Sequence, residues 1–268
     1  MAITNIKIGT LEYLAADGIC VAHGFTTRYG GVSQGYLGSL NLGLNRGDDR
    51  ENVVKNYEIL GNALGFDPQK CVLSRQTHTN TVRVVGKTDW GTGLFRPGFD
   101  SPCDALITNE PGTVLVVFTA DCTPVLFWDP VTGAVGAAHA GWRGTAADIV
   151  GETIRAMAAN FGCDPKHIRC AIGPNIGQCH FETDADVPDA IVAALGDSAL
   201  PHITKRGEKY YVNLKEINAL FLRRAGAQHI EISTECTVCE CEKYWSHRVV
   251  GQNRGSQGAL ILCKEECP

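Results

Sequence analysis

The sequence predicts a mixed α/β fold. Short apolar segments rich in β-branched residues alternate with stretches in which apolar side chains recur at helical spacing. Residues 114–118 are apolar at every position, which is typical of a strand inside a sheet that is covered on both faces. Because the 268 residues contain no internal repeat, low-complexity segment or linker, we expect one domain over residues 1–268.

The first half of the chain is predicted to be mainly β-structure. A short strand and a glycine-dense loop occupy residues 19–44, and a helix begins at the acidic residues near 48 and ends near Gly65. Val53, Tyr57, Leu60 and Leu64 give that helix an apolar face. Six strands follow, at 71–73, 82–85, 105–108, 114–118, 125–128 and 135–139.

The second half alternates helices with strands. A helix is predicted over 145–161 with Gly162 at its end, and a strand over 168–172. The next helix, 187–195, begins with Asp186 at the cap and Pro188 in the first turn. The remaining predictions are strands at 210–212, 230–232 and 258–263 and a helix over 214–225.

Composition and charge narrow the class of partner. Hydrophobic residues make up 44% and charged residues 20%, values that exclude a disordered, collagen-like or coiled-coil chain. The net charge is -5 and the basic residues are scattered, so we expect no nucleic-acid partner. The most apolar run, 113–128, contains Asp121 and Pro124, so we expect no membrane partner either. A monomer that acts on a small-molecule substrate is the expectation.

Cysteine is more abundant than usual, with 12 residues, yet it stays below the ~8–10% of a disulfide scaffold. The first residues lack the basic and apolar regions of a secretory signal peptide, so we expect a cytoplasmic protein. Most thiols should then be free, and they should pack as small apolar side chains or serve as ligands or nucleophiles.

Three segments place a metal-binding residue at the end of an apolar run. They contain His78, Cys122 and His139, which lie 44 and 17 residues apart. Two neutral imidazoles and one thiolate would fill three positions of tetrahedral zinc and leave the fourth open for catalysis. These spacings form no local motif, and a lone histidine at the end of a strand makes an ordinary hydrogen bond more often than it binds a metal.

Two other segments carry weaker signals. Cys236, Cys239 and Cys241 include one C-x-x-C half-site, but only Cys263 and Cys267 follow it, so we predict a loop without a closed zinc site. Residues 141–145 precede a predicted helix, where backbone N–H groups and Arg143 could receive a phosphate or carboxylate. The sequence has no P-loop, dinucleotide-binding or nucleophile-elbow motif.

Seven motifs occur in order along nearly the whole chain, at 25–33, 39–43, 76–78, 104–108, 119–125, 139–145 and 172–177. Together they resemble the YfiH-like family of multicopper polyphenol oxidases (laccase-like) and purine nucleoside phosphorylases. The resemblance implies a layered α/β/β/α domain with mixed sheets, related in architecture to the catalytic domain of cytotoxic necrotizing factor. It also implies a zinc or copper site made by His78, Cys122 and His139.

The family's activities divide into several classes. The resemblance implies phosphorolysis of adenosine, inosine, guanosine and methylthioadenosine, deamination of adenosine, copper-dependent oxidation of phenols, or correction of peptidoglycan precursors. Two departures from the family pattern indicate that substrate preference differs here. Asn175 stands where the family often has Cys, and residues 244–248 replace a Phe-Phe-Ser-Tyr-Arg-Arg segment.

Our leading hypothesis is a zinc-dependent purine nucleoside phosphorylase that also deaminates adenosine. Phosphorolysis requires phosphate to be held in line with the ribose C1′, a task for Arg143 or Arg28. Asn41 or Gln76 is expected to bind the nucleoside.

Three alternatives stay open. A copper polyphenol oxidase is disfavoured because the chain has eight His and no H-x-H pair, too few for a trinuclear copper cluster. A binding protein with a structural metal would need a fourth protein ligand. A hydrolase would use Cys122 as the nucleophile, activated by His139 or His78.

Overall fold

The computed structural model of the protein describes residues 2–264 and contains two six-stranded sheets and a small third one. The strand orders are β1-β2-β3-β15-β7-β4, β14-β10-β8-β9-β6-β5 and β11-β13-β12. In chain order the strands are β1 (Ile3–Ile8), β2 (Leu11–Ala16), β3 (His23–Thr26), β4 (Cys71–Leu73), β5 (Val82–Val84), β6 (Ala105–Thr108), β7 (Val114–Thr119), β8 (Thr123–Trp128), β9 (Val135–Ala140), β10 (Arg169–Ile172), β11 (Glu182–Thr183), β12 (Ile203–Arg206), β13 (Lys209–Val212), β14 (His229–Ile232) and β15 (Gln257–Leu262).

Helices cover the outer faces of the two large sheets. They are α1 (Arg50–Leu64), α2 (Trp142–Ala146), α3 (Ile149–Phe161), α4 (Asp186–Leu195), α5 (Leu214–Arg224) and α6 (His247–Val250). Side chains of both sheets, such as Leu115 and Leu126, form a core between them. The first sheet packs on α1 through Val53 and Tyr57, and the second packs on α3, α4 and α5. The layers therefore follow the order α/β/β/α.

The predicted mixed α/β fold with mixed sheets is confirmed. Pairs β4 and β7, β5 and β6, and β10 and β14 are parallel, whereas the other pairs of the large sheets are antiparallel. The predicted helix near 48–65 is α1, in which Val53, Tyr57 and Leu60 are fully buried. Gly65 ends it in the left-handed conformation.

Two features differ from the predictions. The expected single helix over 145–161 is two helices, because Asp148 adopts the left-handed conformation between them and caps α3 by accepting a hydrogen bond from the Gly151 N–H at 3.1 Å. The hairpin of β1 and β2 was not predicted. Its outer strand β1 has half-buried and exposed residues only, so it lacks a strong apolar pattern.

Three neighbouring strands of the second sheet determine where the predicted site forms. β8 runs antiparallel to β9, with Pro124 opposite His139. β6 runs antiparallel along the other side of β9, with Ala105 opposite Ala138. The starts of β6 and β8 therefore lie beside the end of β9, and Cys122, which directly precedes β8, is brought next to His139.

Among residues 2–264 no helix has both the length and the apolar content needed to cross a bilayer. The single domain over 1–268, the architectural relation to cytotoxic necrotizing factor and the monomeric state stay predictions. Cys267 lies outside the described residues.

Gly30 provides a test of how the glycine-dense loop packs on the first sheet. A Cβ atom at Gly30, where φ is +94°, would lie 2.3 Å from the Leu11 Cα. Gly9 also has a positive φ, +61°, but nothing lies within 4 Å of its Cβ position. We expect Gly9→Ala to lower the free energy of unfolding by about 1 kcal/mol, the usual left-handed penalty. Gly30→Ala should lower it by more than about 3 kcal/mol, because backbone must also move.

Urea denaturation of the two variants measures the difference. Equal decreases in the free energy of unfolding for Gly30→Ala and Gly9→Ala would mean that the glycine-dense loop does not pack closely against β2.

Candidate metal centre

The side chains of His78, Cys122 and His139 converge at one edge of the second sheet. Their ligand atoms all lie within 4.8 Å of one another. The Cys122 Sγ is 3.8 Å from the His78 Nε2, and the two imidazole rings meet edge to face with centroids 4.9 Å apart. His78 is exposed, Cys122 is half-buried and His139 is buried, so the group is open on the His78 side.

The buried carboxylate of Asp104 holds two of these residues in place. Its Oδ1 accepts hydrogen bonds from the His139 Nδ1 at 2.9 Å and from the His78 backbone N–H at 3.0 Å. Its Oδ2 accepts from the backbone N–H groups of Thr77 and Thr79 and from the Thr79 hydroxyl. Because Asp104 engages Nδ1 of His139, the Nε2 atom is left for a ligand.

These contacts keep His78 in an unusual backbone conformation. Its φ is +64°, in the left-handed region that few residues other than glycine adopt. Two N–H groups beside it and its own N–H donate to Asp104, which offsets the cost of that conformation. The loop between β4 and β5 is thereby fixed with the imidazole directed towards Cys122.

Cys122 is positioned by a second buried carboxylate, that of Asp121. Asp121 also has a positive φ, +87°. Its Oδ1 accepts from the Thr237 hydroxyl at 2.6 Å, and its Oδ2 accepts from the Ser246 hydroxyl and the Arg248 backbone N–H. The turn that presents the thiol is therefore connected to two distant loops.

Cys122 and His139 shift each other's pKa towards the charged forms. Burial alone would raise the pKa of Cys122, but the charge of His139 and hydrogen bonds with both imidazoles lower it to about 6. Burial alone would lower the pKa of His139, but the Cys122 thiolate and the Asp104 carboxylate raise it to about 9. Asp104 is also desolvated, yet its bonds to His139, Thr79 and Thr77 hold its pKa well below the usual range.

Gly141 leaves room beside the two ligands. A Cβ atom at this position would lie 2.5 Å from the His78 Cδ2 and 3.3 Å from the Cys122 Sγ. A larger residue would therefore displace the imidazole. The donor set of two nitrogens and one sulfur, together with this clearance, fits a metal ion bound by three protein ligands, and no fourth His, Cys, Asp or Glu joins this group among residues 2–264.

The two residues predicted to contact the nucleoside, Asn41 and Gln76, make hydrogen bonds within the protein. Asn41 is fully buried, and its amide bonds the Asp48 carboxylate and the backbone of Gly43 and Ser256. Gln76 pairs with β7, because its Nε2 donates to the Phe118 carbonyl and its Oε1 accepts from the Phe118 N–H. Both amides have hydrogen-bond partners within the protein, and a contact of either with a nucleoside stays a prediction.

The two arginines predicted to bind phosphate differ in whether hydrogen bonds within the protein already occupy the guanidinium group. Arg28 donates from Nε to the Gly38 carbonyl at 3.0 Å and lies over the Trp245 ring, so it braces the glycine-dense loop. Arg143 is exposed, and its guanidinium stacks on the Trp142 ring at 4.2 Å. It follows Gly141 by two residues. Arg143 is therefore the better placed of the two to meet an anion.

An arginine-lined groove, which the sequence does not predict, includes a residue two positions before His78. It has a volume of about 820 Å³ and includes Gln76 and Phe118 in its wall. Its charged lining consists of Arg46, Arg50, Arg75, Arg96 and Asp100. Four guanidinium groups against one carboxylate favour an anionic ligand.

Arg254 is a further residue that the sequence did not single out. Burial lowers its pKa to about 10, the charge of Arg46 lowers it too, and Asp121 and Cys122 act in the opposite direction. Arg254 therefore places a positive charge that interacts electrostatically with Cys122. No helical or strand pattern marks residue 254, so only its position in the fold reveals it.

The prediction for Cys236 and Cys239 was incomplete. Both lie in a loop, but Cys179 and His180 approach them from another loop, and the four ligand atoms lie within 4.8 Å of one another. The other two members of the group therefore lie before Cys236 by more than 50 residues, and not after Cys241.

Comparison with known proteins identifies the family of this chain. A family model described as multi-copper polyphenol oxidoreductase laccase matches residues 22–264. The chain belongs to this family. Its resemblance to YfiH-like proteins is thus confirmed.

Relatives resemble the chain over most of its length. A protein named purine nucleoside phosphorylase YlmD, from Geobacillus stearothermophilus, is 39% identical over 242 residues, which are 89% of this chain and 87% of that protein. Purine nucleoside phosphorylase YfiH of Escherichia coli is 36% identical over 83% of this chain and 86% of its own. The crystal structure of Geobacillus stearothermophilus YlmD has a TM-score of 0.92 at 35% identity and covers 99% of this chain and 100% of that one.

Replacement of Asp104 tests its control of the metal ligands. Asp104→Asn should lower metal affinity by roughly 10- to 100-fold, because the partner that orients the His139 ring is lost. Asp129→Asn is the matched control: Asp129 is equally buried and bonds a turn, but at the opposite end of β8. Competition with a chromogenic chelator measures the affinity. Similar losses in both variants would assign the effect to general loosening of the sheet.

Alkylation tests the pairing of Cys122 with His139 in the metal-free chain. Since the pKa of Cys122 is lowered to about 6, the thiolate should persist at pH 7 and protonate below about pH 6. Labelling of Cys122 by iodoacetamide, followed by peptide mass spectrometry, should have its midpoint near pH 6. His139→Gln should move that midpoint upward by at least about one unit. A wild-type midpoint above pH 8 would contradict the ion pair.

Proposed function

We propose that the protein is a zinc-dependent purine nucleoside phosphorylase of the cytoplasm. Its substrates would be adenosine, inosine, guanosine and methylthioadenosine, and it would also deaminate adenosine. The observation that carries the proposal is the open His78, Cys122 and His139 group. An arginine-lined groove, whose wall includes Gln76, supports it. The relatives named purine nucleoside phosphorylase support the same reaction. The eleven free cysteines of residues 2–264 fit a reducing compartment.

Zinc suits the donor set. Nitrogen from His78 and His139 and sulfur from Cys122 are ligands that zinc accepts in catalytic sites, where the protein supplies three. A zinc ion held there would act as a Lewis acid and lower the pKa of water, which supplies the chemistry that deamination near neutral pH requires. Asp104 would keep the His139 Nδ1 protonated and the Nε2 free.

Phosphorolysis joins a phosphate oxygen to the ribose C1′ and breaks the bond from C1′ to the purine. Positive charge grows on the sugar in the transition state, so an anion held close to C1′ stabilises it. Arg143 is exposed for this contact, and Arg254 adds a positive charge that interacts with Cys122. The groove of about 820 Å³ is in the range of small-molecule sites and large enough for a nucleoside with phosphate.

The deciding experiment supplies the zinc-loaded protein with inosine and phosphate and measures hypoxanthine and ribose 1-phosphate by chromatography. We expect both products in equal amounts. Cys122→Ala should lose the zinc of the His78, Cys122 and His139 group and activity together but keep its fold, since the large core does not depend on that ion. Absence of both products with zinc-replete wild-type protein would end the proposal.

A copper polyphenol oxidase is the second candidate, because the description of the family model names that activity. Copper would occupy the same three ligands, since Cu²⁺ exceeds Zn²⁺ in affinity for nitrogen and sulfur donors. Electron paramagnetic resonance of protein purified without added copper separates the two. Stoichiometric coupled copper with phenol oxidation would favour the oxidase.

A cysteine hydrolase is the third candidate, since His139 lowers the pKa of Cys122 as a nucleophile requires. A chelator distinguishes it from a zinc enzyme. Hydrolysis through a Cys–His pair would survive removal of metal, whereas zinc-dependent turnover would stop.

Arg143→Lys should separate the two proposed activities. Lysine keeps the charge but loses the two-pronged guanidinium, so the apparent affinity for phosphate should drop by roughly tenfold or more. Deamination uses water, so adenosine deamination should fall much less. Arg155→Lys is the control, because Arg155 is a surface residue paired with Glu152 and Asp148. Initial rates at varied phosphate measure the effect; parallel losses in both activities would count against a phosphate contact.

A further inference from the structure

Two loops outside the His78 site bring four metal-binding side chains together. Cys179 and His180 follow β10, and Cys236 and Cys239 follow β14. β10 and β14 are adjacent parallel strands, so the loops that leave them start side by side. This cluster, the Cys3His group, is a separate set of side chains from His78, Cys122 and His139.

The distances within the Cys3His group match tetrahedral zinc. Bonds of about 2.3 Å to sulfur and 2.0 Å to nitrogen at tetrahedral angles separate two sulfurs by about 3.8 Å and a sulfur from a nitrogen by about 3.5 Å. The Sγ atoms of Cys179 and Cys239 are 3.7 Å apart. The His180 Nδ1 lies 3.2 Å from Cys179, 3.5 Å from Cys239 and 3.8 Å from Cys236. All three thiols therefore surround one imidazole nitrogen at ligand spacing.

The surroundings favour thiolates. The Gly177 N–H donates to the Cys236 Sγ at 3.1 Å, a bond that stabilises negative charge on sulfur. The buried Lys215 ammonium interacts electrostatically with Cys236 and Cys179 and is held by the Glu235 carbonyl at 2.6 Å. Three thiolates around a divalent ion leave one negative charge, and Lys215 lies where it offsets that charge.

A disulfide does not describe this geometry. An S–S bond is about 2.05 Å long, whereas the Cys179 and Cys239 sulfurs are 3.7 Å apart. We propose that Cys179, His180, Cys236 and Cys239 bind a second zinc ion in a closed, structural site. Four protein ligands leave no position for substrate, which is the feature that separates structural from catalytic zinc.

The proposed zinc joins two loops that also reach the His78 site. Thr237 stands between Cys236 and Cys239, and its hydroxyl donates to Asp121, the residue before Cys122. Arg248 binds the carbonyls of His180 and Glu182 at 3.0 Å while its backbone N–H donates to Asp121. The second ion thereby fixes the loop of Thr237 directly and supports Arg248 through His180, and its role is to position residues.

Zinc content tests the proposal apart from any activity. The double variant Cys122→Ala/His139→Ala removes two of the three ligands of the His78 site. We expect it to retain one zinc per chain, as measured by elemental mass spectrometry. Adding His180→Ala should abolish that zinc. His180→Cys should retain it, because four thiolates also bind zinc tetrahedrally. Cys241→Ser is the matched control: Cys241 lies in the same loop but outside the group, and its loss should leave zinc unchanged.

X-ray absorption on wild-type protein keeps the test decisive even if a variant does not fold. With both sites filled, the zinc shell averages two sulfurs per ion; with the first site alone it contains one sulfur. A value near one, a zinc-free but folded double variant, or a Cys179–Cys239 disulfide in freshly reduced and zinc-supplied protein would overturn the second site.

Discussion

The Asp104 carboxylate is the interaction on which the candidate metal centre depends. It is buried at the start of β6, where five donors surround its two oxygens. Burial of a charge without partners would be costly, so this carboxylate requires those donors as much as they require it. One side chain thereby fixes the orientation of the His139 ring and the left-handed backbone of His78, two ligands from different parts of the sequence.

Asp121 does the same for the other half of the centre. Its carboxylate joins the turn before Cys122 to Thr237 and to the start of α6. Two aspartates, each with several hydrogen bonds, therefore hold the exposed His78 and the half-buried Cys122, which lie on loops, and the buried His139 of β9. This arrangement fits the requirement that a metal centre be rigid although two of its three candidate ligands lie outside regular secondary structure.

The polar residues around the centre differ in how far hydrogen bonds within the protein occupy their side chains. Asn41 and Gln76 have amides, which bond backbone groups as readily as ligands, and in this fold the backbone occupies them. Arginines are longer and remain charged, so Arg143 and the groove residues can reach solvent even where the stem packs on protein. Charge near Cys122 comes from Arg254, which is distant in sequence.

The sequence alone determined most element types and the three candidate ligands, His78, Cys122 and His139. Apolar runs and helical stripes are local signals, and they placed α1, α5 and most strands of the two sheets because burial of those side chains drives the fold. The motifs around Cys122 and His139 identified the ligands through family resemblance. The strand β1 has no strong apolar pattern, and the left-handed backbone of Asp148 has no signature in the sequence, so neither feature could be predicted.

Only the tertiary structure decided which distant residues meet. The parallel pairing of β10 with β14 sets Cys179 and His180 beside Cys236 and Cys239, and no spacing in the sequence encodes that pairing. The position of Asp104 under His78 and His139 likewise follows from the antiparallel register of β6 and β9. Contacts of this kind arise when sheets pack to bury their apolar faces, a property of the whole chain and not of any one segment.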